Sequence, residues 1–356
     1  MQHERRRDDA YRAVVAKLSP GTVLREGVQR IIASHRGALI VIGMNSAVEP
    51  VISGGIAVDI KCTAQRLSEI AKMDGAIILS DDGDRILRAN VHLVPNHNVP
   101  TDETGTRHRT AERVAKQCRV PVISVSESMR IVTLYLDHGK LVLEEVSSLL
   151  FRANQALATL ERYRARLDEG SASLSALEIE DNATVRDVVQ VLQRAEMVVR
   201  IAEEIEEYIV ELGSEGRLIQ LQLDELMAQV EDERALVVQD YLADRRHKLE
   251  SVLEELSSLD TEELLDLERI ASALRYEPDE LDRPVAARGY RLMAKIPRLP
   301  DPVIEKLIKR FHNLQGVMGA SLEDLDEVEG VGETRARSIK DGLARLAESS
   351  LLERYV

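Results

Sequence analysis

Two apolar rhythms alternate along the first 145 residues. Residues 11–18 and 21–33 place apolar side chains three and four positions apart, the spacing of a helix with one buried stripe. Residues 62–73 repeat that spacing through Leu67, Ile70 and Ala71, and a further helix carries Ala111, Val114, Ala115 and Cys118. Between them, 38–42, 76–79, 86–93 and 121–125 predict strands, and the unbroken apolar run at 76–79 is of the kind that makes a buried one. Residues 130–136 and 140–145 flank Asp137-His138-Gly139, a hairpin signal. Helices interleaved with strands predict an α/β domain, a mixed sheet flanked by helices. From residue 149 to 281 only the helical rhythm remains, in Leu157, Leu160 and Leu167, then Val191, Val198, Ile205 and Leu212, then Leu249, Val252, Leu256 and Leu259. Gly213-Ser214-Glu215-Gly216 interrupts it as an interhelical turn, so an all-α spine is expected in place of one continuous coiled coil. Pro284, Pro297, Pro300 and Pro302 then mark a change of composition. The expected division is 1–147, 148–284 and 285–356, the last a small all-α domain.

Composition narrows the function classes. No apolar run approaches the ~20 residues of a membrane span, and residues 1–9 lack the apolar stretch of a signal peptide, so no membrane association is expected. Cys62 and Cys118 are the only cysteines, which suits reduced core thiols in a cytoplasmic protein and excludes a disulfide framework. The net charge of −15 argues against general affinity for nucleic acid. A local basic surface remains compatible with it, because phosphate contacts depend on local charge.

The chemistry concentrates in Gly105-Thr106-Arg107-His108-Arg109-Thr110-Ala111. The segment enters a predicted helix, whose first turn offers unpaired N–H groups and a partial positive charge to phosphate. Thr106 or Thr110 can cap that helix, and the arginine forks suit phosphate oxygens. A solvated basic turn with an ordinary cap is the bland alternative. A second element is Asp74-Gly75-Ala76, a carboxylate at a helix-to-strand turn beside a glycine that permits close approach. Such an aspartate can simply bond its own turn, or can hold a divalent metal against phosphates.

Asp74-Gly75-Ala76 together with Gly105–Ala111 resembles the DGA and RHR signature of the diadenylate cyclases, over roughly the first 145 residues. The resemblance implies condensation of two ATP into cyclic di-AMP and two pyrophosphates. It implies Asp74 as catalytic residue and ligand of Mg²⁺ or Mn²⁺. It also implies Gly75, Leu93, Thr106, Arg107, His108, Arg109 and Thr110 as ATP-binding, with Leu93 at the adenine ring. From the residues alone, Leu93 is equally a plain core leucine.

Residues 322–339 resemble a helix–hairpin–helix motif, with Leu322, Leu325 and Val328 before a Gly-X-Gly turn and Ala336 and Ile339 after it. Its backbone N–H groups can hold a DNA phosphate without reading bases. The candidate contacts are Gly330, Val331, Gly332, Thr334, Arg335, Arg337 and Lys340; a purely structural hairpin is the alternative. Within the cyclase family, a cyclase domain, a helical spine and such a hairpin domain imply sensing of branched or damaged DNA. They imply a homo-octamer of two tetramers with facing cyclase domains, cytoplasmic and nucleoid-associated. The rival from another class is a non-catalytic nucleotide-binding scaffold on DNA junctions. A weaker rival is an NTP-hydrolysing DNA repair enzyme, and the lack of any Gly-X-X-X-X-Gly-Lys-Ser/Thr argues against a P-loop motor.

Overall fold

The computed structural model describes residues 11–127, 129–244 and 246–353, so residues 1–9 of the signal-peptide reading lie outside it. The chain forms two compact units, residues 1–154 with 206–220 and residues 155–205 with 221–356.

In the first unit, helices α1 (residues 11–17), α2 (Val23–Ala33), α3 (Ala64–Ile70) and α4 (Thr106–Cys118) cover an eight-stranded mixed sheet. Its strands are β1 (Ala38–Ile42), β2 (Ile52–Ser53), β3 (Ile56–Lys61), β4 (Ala76–Leu79), β5 (Arg85–Leu93), β6 (Val122–Val125), β7 (Val132–Leu136) and β8 (Gly139–Val142). Strands pair in the order β2-β5-β4-β1-β6-β7-β8, with β3 also on β5. Only β1 and β4 run parallel, in the register Leu39↔Ala76 to Ile42↔Leu79. Every residue of β1, β4 and β6 is buried. Alternation explains it: Ile40, Ile42, Ile77 and Leu79 pack with Val28, Ile31 and Leu67, while Leu39, Val41 and Ile78 pack with Ala111, Val114 and Cys118 of α4.

Three local expectations are corrected. The helix predicted over 62–73 is shorter, because Thr63 caps it by accepting from the Arg66 N–H at 3.2 Å. Cys62 therefore precedes a helix and does not lie on one; it is buried, as is Cys118. Strand β3 was not predicted, since its residues are exposed or half-buried and leave no apolar run.

Helices α5 (Val146–Glu180) and α6 (Val185–Leu212) contribute to both units. The glycine turn becomes a short 3-10 segment, Gly213–Gly216, leading into α7 (Arg217–Met227). The second unit continues through α8 (Val230–Tyr241), α9 (Leu249–Ser258), α10 (Thr261–Leu265) and α11 (Leu267–Ala273). It closes with α12 (Tyr290–Ala294), α13 (Asp301–Phe311), α14 (Leu314–Gly319), α15 (Leu322–Asp326) and α16 (Gly332–Glu353).

A buried ionic node ties α12 to α5 and α8. The Arg291 side chain is fully buried and donates to Glu178 Oε2 at 2.6 Å, Glu233 Oε1 at 2.8 Å and Ser171 Oγ at 2.9 Å. Burial pulls its pKa down, but the two carboxylates outweigh that and keep the guanidinium charged. Beside it, Asp240 accepts the N–H groups of Gly289, Tyr290 and Arg291 at 2.7, 2.7 and 2.9 Å.

The C-terminal stretch also holds a repeat that its prolines conceal. Ile296 and Leu299 in Ile296-Pro297-Arg298-Leu299-Pro300 correspond to Val328 and Val331 in Val328-Glu329-Gly330-Val331-Gly332. Leu299 donates its N–H to the Ile296 carbonyl as Val331 donates to that of Val328. Arg298 takes the left-handed conformation (φ +62°) at the place of Gly330 (φ +94°). Each hairpin opens a helix, α13 or α16.

Candidate functional site

A cleft of about 710 Å³ opens in the first unit where β1 and β4 begin, β5 ends and α4 begins. Of the sequence-predicted residues, Asp74, Gly75, Leu93, Thr106, Arg107 and Thr110 line it. Asp74 is exposed at the turn before β4, with no protein hydrogen-bond or ion-pair partner among the described residues. Gly75 is dictated by packing: a Cβ there would stand 2.8 Å from Cα of Asn90 on β5. Leu93 is buried in the core beneath α4 and contributes to the cleft wall.

The expected threonine cap of α4 is absent. Gly105 occupies the N-cap position without a side-chain bond, and the Thr110 hydroxyl donates to the Thr106 carbonyl at 2.9 Å. No N-cap side chain therefore satisfies the first-turn N–H groups, which are the donors a phosphate uses at a helix start. Gly37 makes room for Arg107: a Cβ at residue 37 would lie 2.1 Å from Arg107 Nη1. Sequence reading missed Gly37, and also Lys72, His92 and Glu127 on the cleft wall. Lys72 and His92 adjoin Asp74 and Leu93 in sequence and could have been found there, whereas Gly37 and Glu127 are marked only by proximity in space.

His108 and Arg109 do not line this cleft. The His108 Nδ1 meets the Tyr135 hydroxyl at 2.8 Å, and Arg109 donates to the carbonyls of Glu103 and Thr104 at 3.3 and 3.1 Å. Among the described residues no group of three or more His, Cys, Asp or Glu could hold a metal. The lone Asp74 fits a different arrangement, in which one carboxylate shares Mg²⁺ or Mn²⁺ with nucleotide phosphates.

At the C-terminal hairpin, Gly330 and Gly332 both have positive φ (+94° and +61°), a conformation that favours glycine. Val331 is buried and anchors the turn from within, while Thr334 is exposed in the first turn of α16. Arg335 donates to the Gly330 carbonyl, Arg337 pairs with Glu333 at 2.5 Å, and Lys340 donates to the Met318 carbonyl at 2.7 Å. Each of the three cations has a partner inside the protein.

Comparison with known proteins identifies the family. Residues 25–140 match the family described as "DisA bacterial checkpoint controller nucleotide-binding", and residues 143–281 match its "linker region". The DNA integrity scanning protein DisA of Acidothermus cellulolyticus is 56% identical over 358 residues, covering 99% of this chain and 97% of that protein. Those of Parafrankia sp. and Streptomyces griseus are also 56% identical, covering 98% and 97% of this chain and 98% and 94% of their own length. No helix among the described residues is long and apolar enough to cross a membrane. With a nucleotide-binding domain on a helix-flanked mixed sheet and a helical linker behind it, the chain belongs to the family of DNA integrity scanning proteins DisA, a diadenylate cyclase family.

Proposed function

We propose that the chain condenses two ATP into cyclic di-AMP and two pyrophosphates, and that DNA held by the C-terminal hairpin regulates this reaction. The observation that carries the reading is the cleft in which Asp74, Arg107 and the uncapped start of α4 converge. Each 3′-oxygen attacks the α-phosphorus of the other ATP, forming an O–P bond as the bond to pyrophosphate breaks. One cleft cannot hold both reacting ATP molecules in line, so two copies must face each other. The homo-octamer expected from the family supplies such pairs. Arg107 neutralises phosphate charge while Thr106, Thr110 and the α4 N–H groups orient the phosphates, so catalysis is positioning and electrostatics. Asp74 would hold Mg²⁺ or Mn²⁺ against the phosphates, an ion that supplies charge neutralisation and makes the 3′-hydroxyl easier to deprotonate.

The DNA part of the proposal rests on the hairpin glycines and the basic residues around them. Branched DNA engages several hairpin domains of one oligomer at once, which raises apparent affinity without new contacts. Binding through phosphates is expected to weaken steeply with salt and to ignore sequence. The division 1–147, 148–284 and 285–356 belongs to this proposal as a division of labour, with a cytoplasmic, nucleoid-associated location.

The deciding experiment incubates purified protein with ATP and Mn²⁺ or Mg²⁺ and identifies products by mass. Cyclic di-AMP is expected, falling by about three orders of magnitude or more in Asp74→Asn while the fold is kept. ATP binding without product in the wild type would favour the non-catalytic scaffold instead.

A further inference from the structure

The RHR segment sends only one of its three side chains into the cleft; its histidine is held from behind by groups that the proposed reaction leaves unused. Tyr135 on β7 is 1% exposed, and its hydroxyl lies 2.8 Å from His108 Nδ1, with the rings edge-on at 6.1 Å between centroids. Directly across the strand pair, Lys140 on β8 faces Tyr135. Neighbours in that register share one face of the sheet. Lys140 donates to Glu103 Oε1 at 2.6 Å, which brings the Glu103 carboxylate over the same spot. Arg109 clamps the loop carrying Glu103 through the carbonyls of Glu103 and Thr104, and Thr101 donates to Glu112 of α4 at 2.5 Å.

Proton bookkeeping then fixes the histidine. The Lys140 ammonium holds the Glu103 carboxyl below its usual range, so the group is an ionised, acceptor-only carboxylate. Burial, reinforced by Glu103, pushes the Tyr135 phenol up, so it keeps its proton. Glu103 is the anion that hydrogen-bonds with the phenol, and an ionised carboxylate can only accept. The phenol proton thus goes to it, and the phenol oxygen is left to accept from His108. His108 Nδ1 must therefore be the donor, and the neutral ring carries its lone pair on Nε2. Donation from Nε2 to a phosphate requires a second proton.

We propose that Glu103 and Tyr135 are positioning residues of the nucleotide site: they lock His108 as the Nδ1–H tautomer and so fix the first turn of α4, from which Thr106, Arg107 and Thr110 reach the cleft. This deepens the cyclase reading and rests on it for the meaning of the site, but its test does not depend on turnover. The histidine anchors the turn against the sheet through a single defined hydrogen bond. Thr106, Arg107 and Thr110 are then free to face the nucleotide.

The experiment is nitrogen NMR of the full-length protein with labelled histidine, the His108 signals assigned with His108→Gln. The wild type is expected to show His108 protonated at Nδ1 and bare at Nε2 at a pH where the ring is neutral. Tyr135→Phe removes only the hydroxyl and is expected to shift the population toward the Nε2–H tautomer and to weaken ATP binding about tenfold, the scale of one lost hydrogen bond. Glu103→Gln, on an accessible loop, is the second variant in case the buried one misfolds. Its amide can donate to the phenol oxygen, freeing the phenol proton for Nδ1, so the same tautomer shift is expected. A wild-type His108 bare at Nδ1, or an unchanged tautomer in a folded variant, overturns the proposal. Failure of the cyclase reading would instead appear as absence of product from a protein with the expected wild-type tautomer.

Discussion

Two pairs of an arginine and an aspartate sit in the two units, and they are used in opposite ways. In the cleft, Asp74 is exposed without a protein partner, and the Arg107 guanidinium lies over the space left by Gly37. In the node, Arg291 and Asp240 are buried, and hydrogen bonds occupy both of them. Charge left unpaired at an open surface can be answered by a ligand. A polar group answered inside the protein fixes geometry and has nothing left to offer. The difference separates a binding site from a structural joint more sharply than residue type does, since either arginine could be mistaken for a phosphate ligand from sequence.

The largest effect should come from Arg291→Ala. Removing it leaves Glu178 and Glu233 facing each other without their cation, a loss of about 3–5 kcal/mol for a broken buried pair. Chemical denaturation of the unit holding α5, α8 and α12 checks this, and ATP affinity at the cleft should be unchanged. The same reasoning places a truncation point. A cut at residue 284 removes Arg291 with the hairpins, so its consequences mix loss of DNA binding with loss of the node.

Arg107→Ala is the reciprocal test. ATP affinity by calorimetry should fall roughly 10- to 100-fold, the range for losing charge-assisted contacts to phosphate, with little change in the unfolding midpoint. A large stability loss with unchanged affinity would reverse the contrast between the two arginines.

A smaller, pH-dependent effect distinguishes the two aspartates. Burial, followed by the charge of Glu178, pushes the Asp240 carboxyl up to about 7. Between about pH 4 and pH 7 the unfolded chain has released this proton while the folded unit retains it. The contribution of Asp240 to stability therefore declines as pH rises through that window and is flat above it. Melting midpoints of the second unit should be higher at pH 5 than at pH 8, and Asp240→Asn should flatten that difference.

The sequence made the sheet legible because helices cover both of its faces, leaving β1, β4 and β6 as unbroken apolar runs. It concealed β3, whose pairing with β5 satisfies its backbone without burying its side chains. At the site, Asp74 and the α4 entrance were readable as local motifs. Gly37 was not, because its reason lies in a side chain from a different segment. The node was invisible for the same reason: Ser171, Glu178 and Glu233 meet Arg291 across long stretches of chain. The Ile296–Pro300 hairpin was read as a boundary because two prolines dominate it. Its real signal was the match of Ile296 and Leu299 to Val328 and Val331, with Arg298 standing where a glycine would be easier.

The close seat of Arg107 on Gly37 makes two distant positions one unit of heredity. With arginine at 107, a side chain at 37 requires the guanidinium to move; with a small residue at 107, that particular conflict is gone. The order of change therefore matters: substitution at 37 first displaces the guanidinium, whereas substitution at 107 first removes that conflict. In a set of relatives that keep the arginine, variation at 37 should be suppressed even though that residue offers no functional group of its own. A glycine without chemistry would then record the presence of a charge elsewhere.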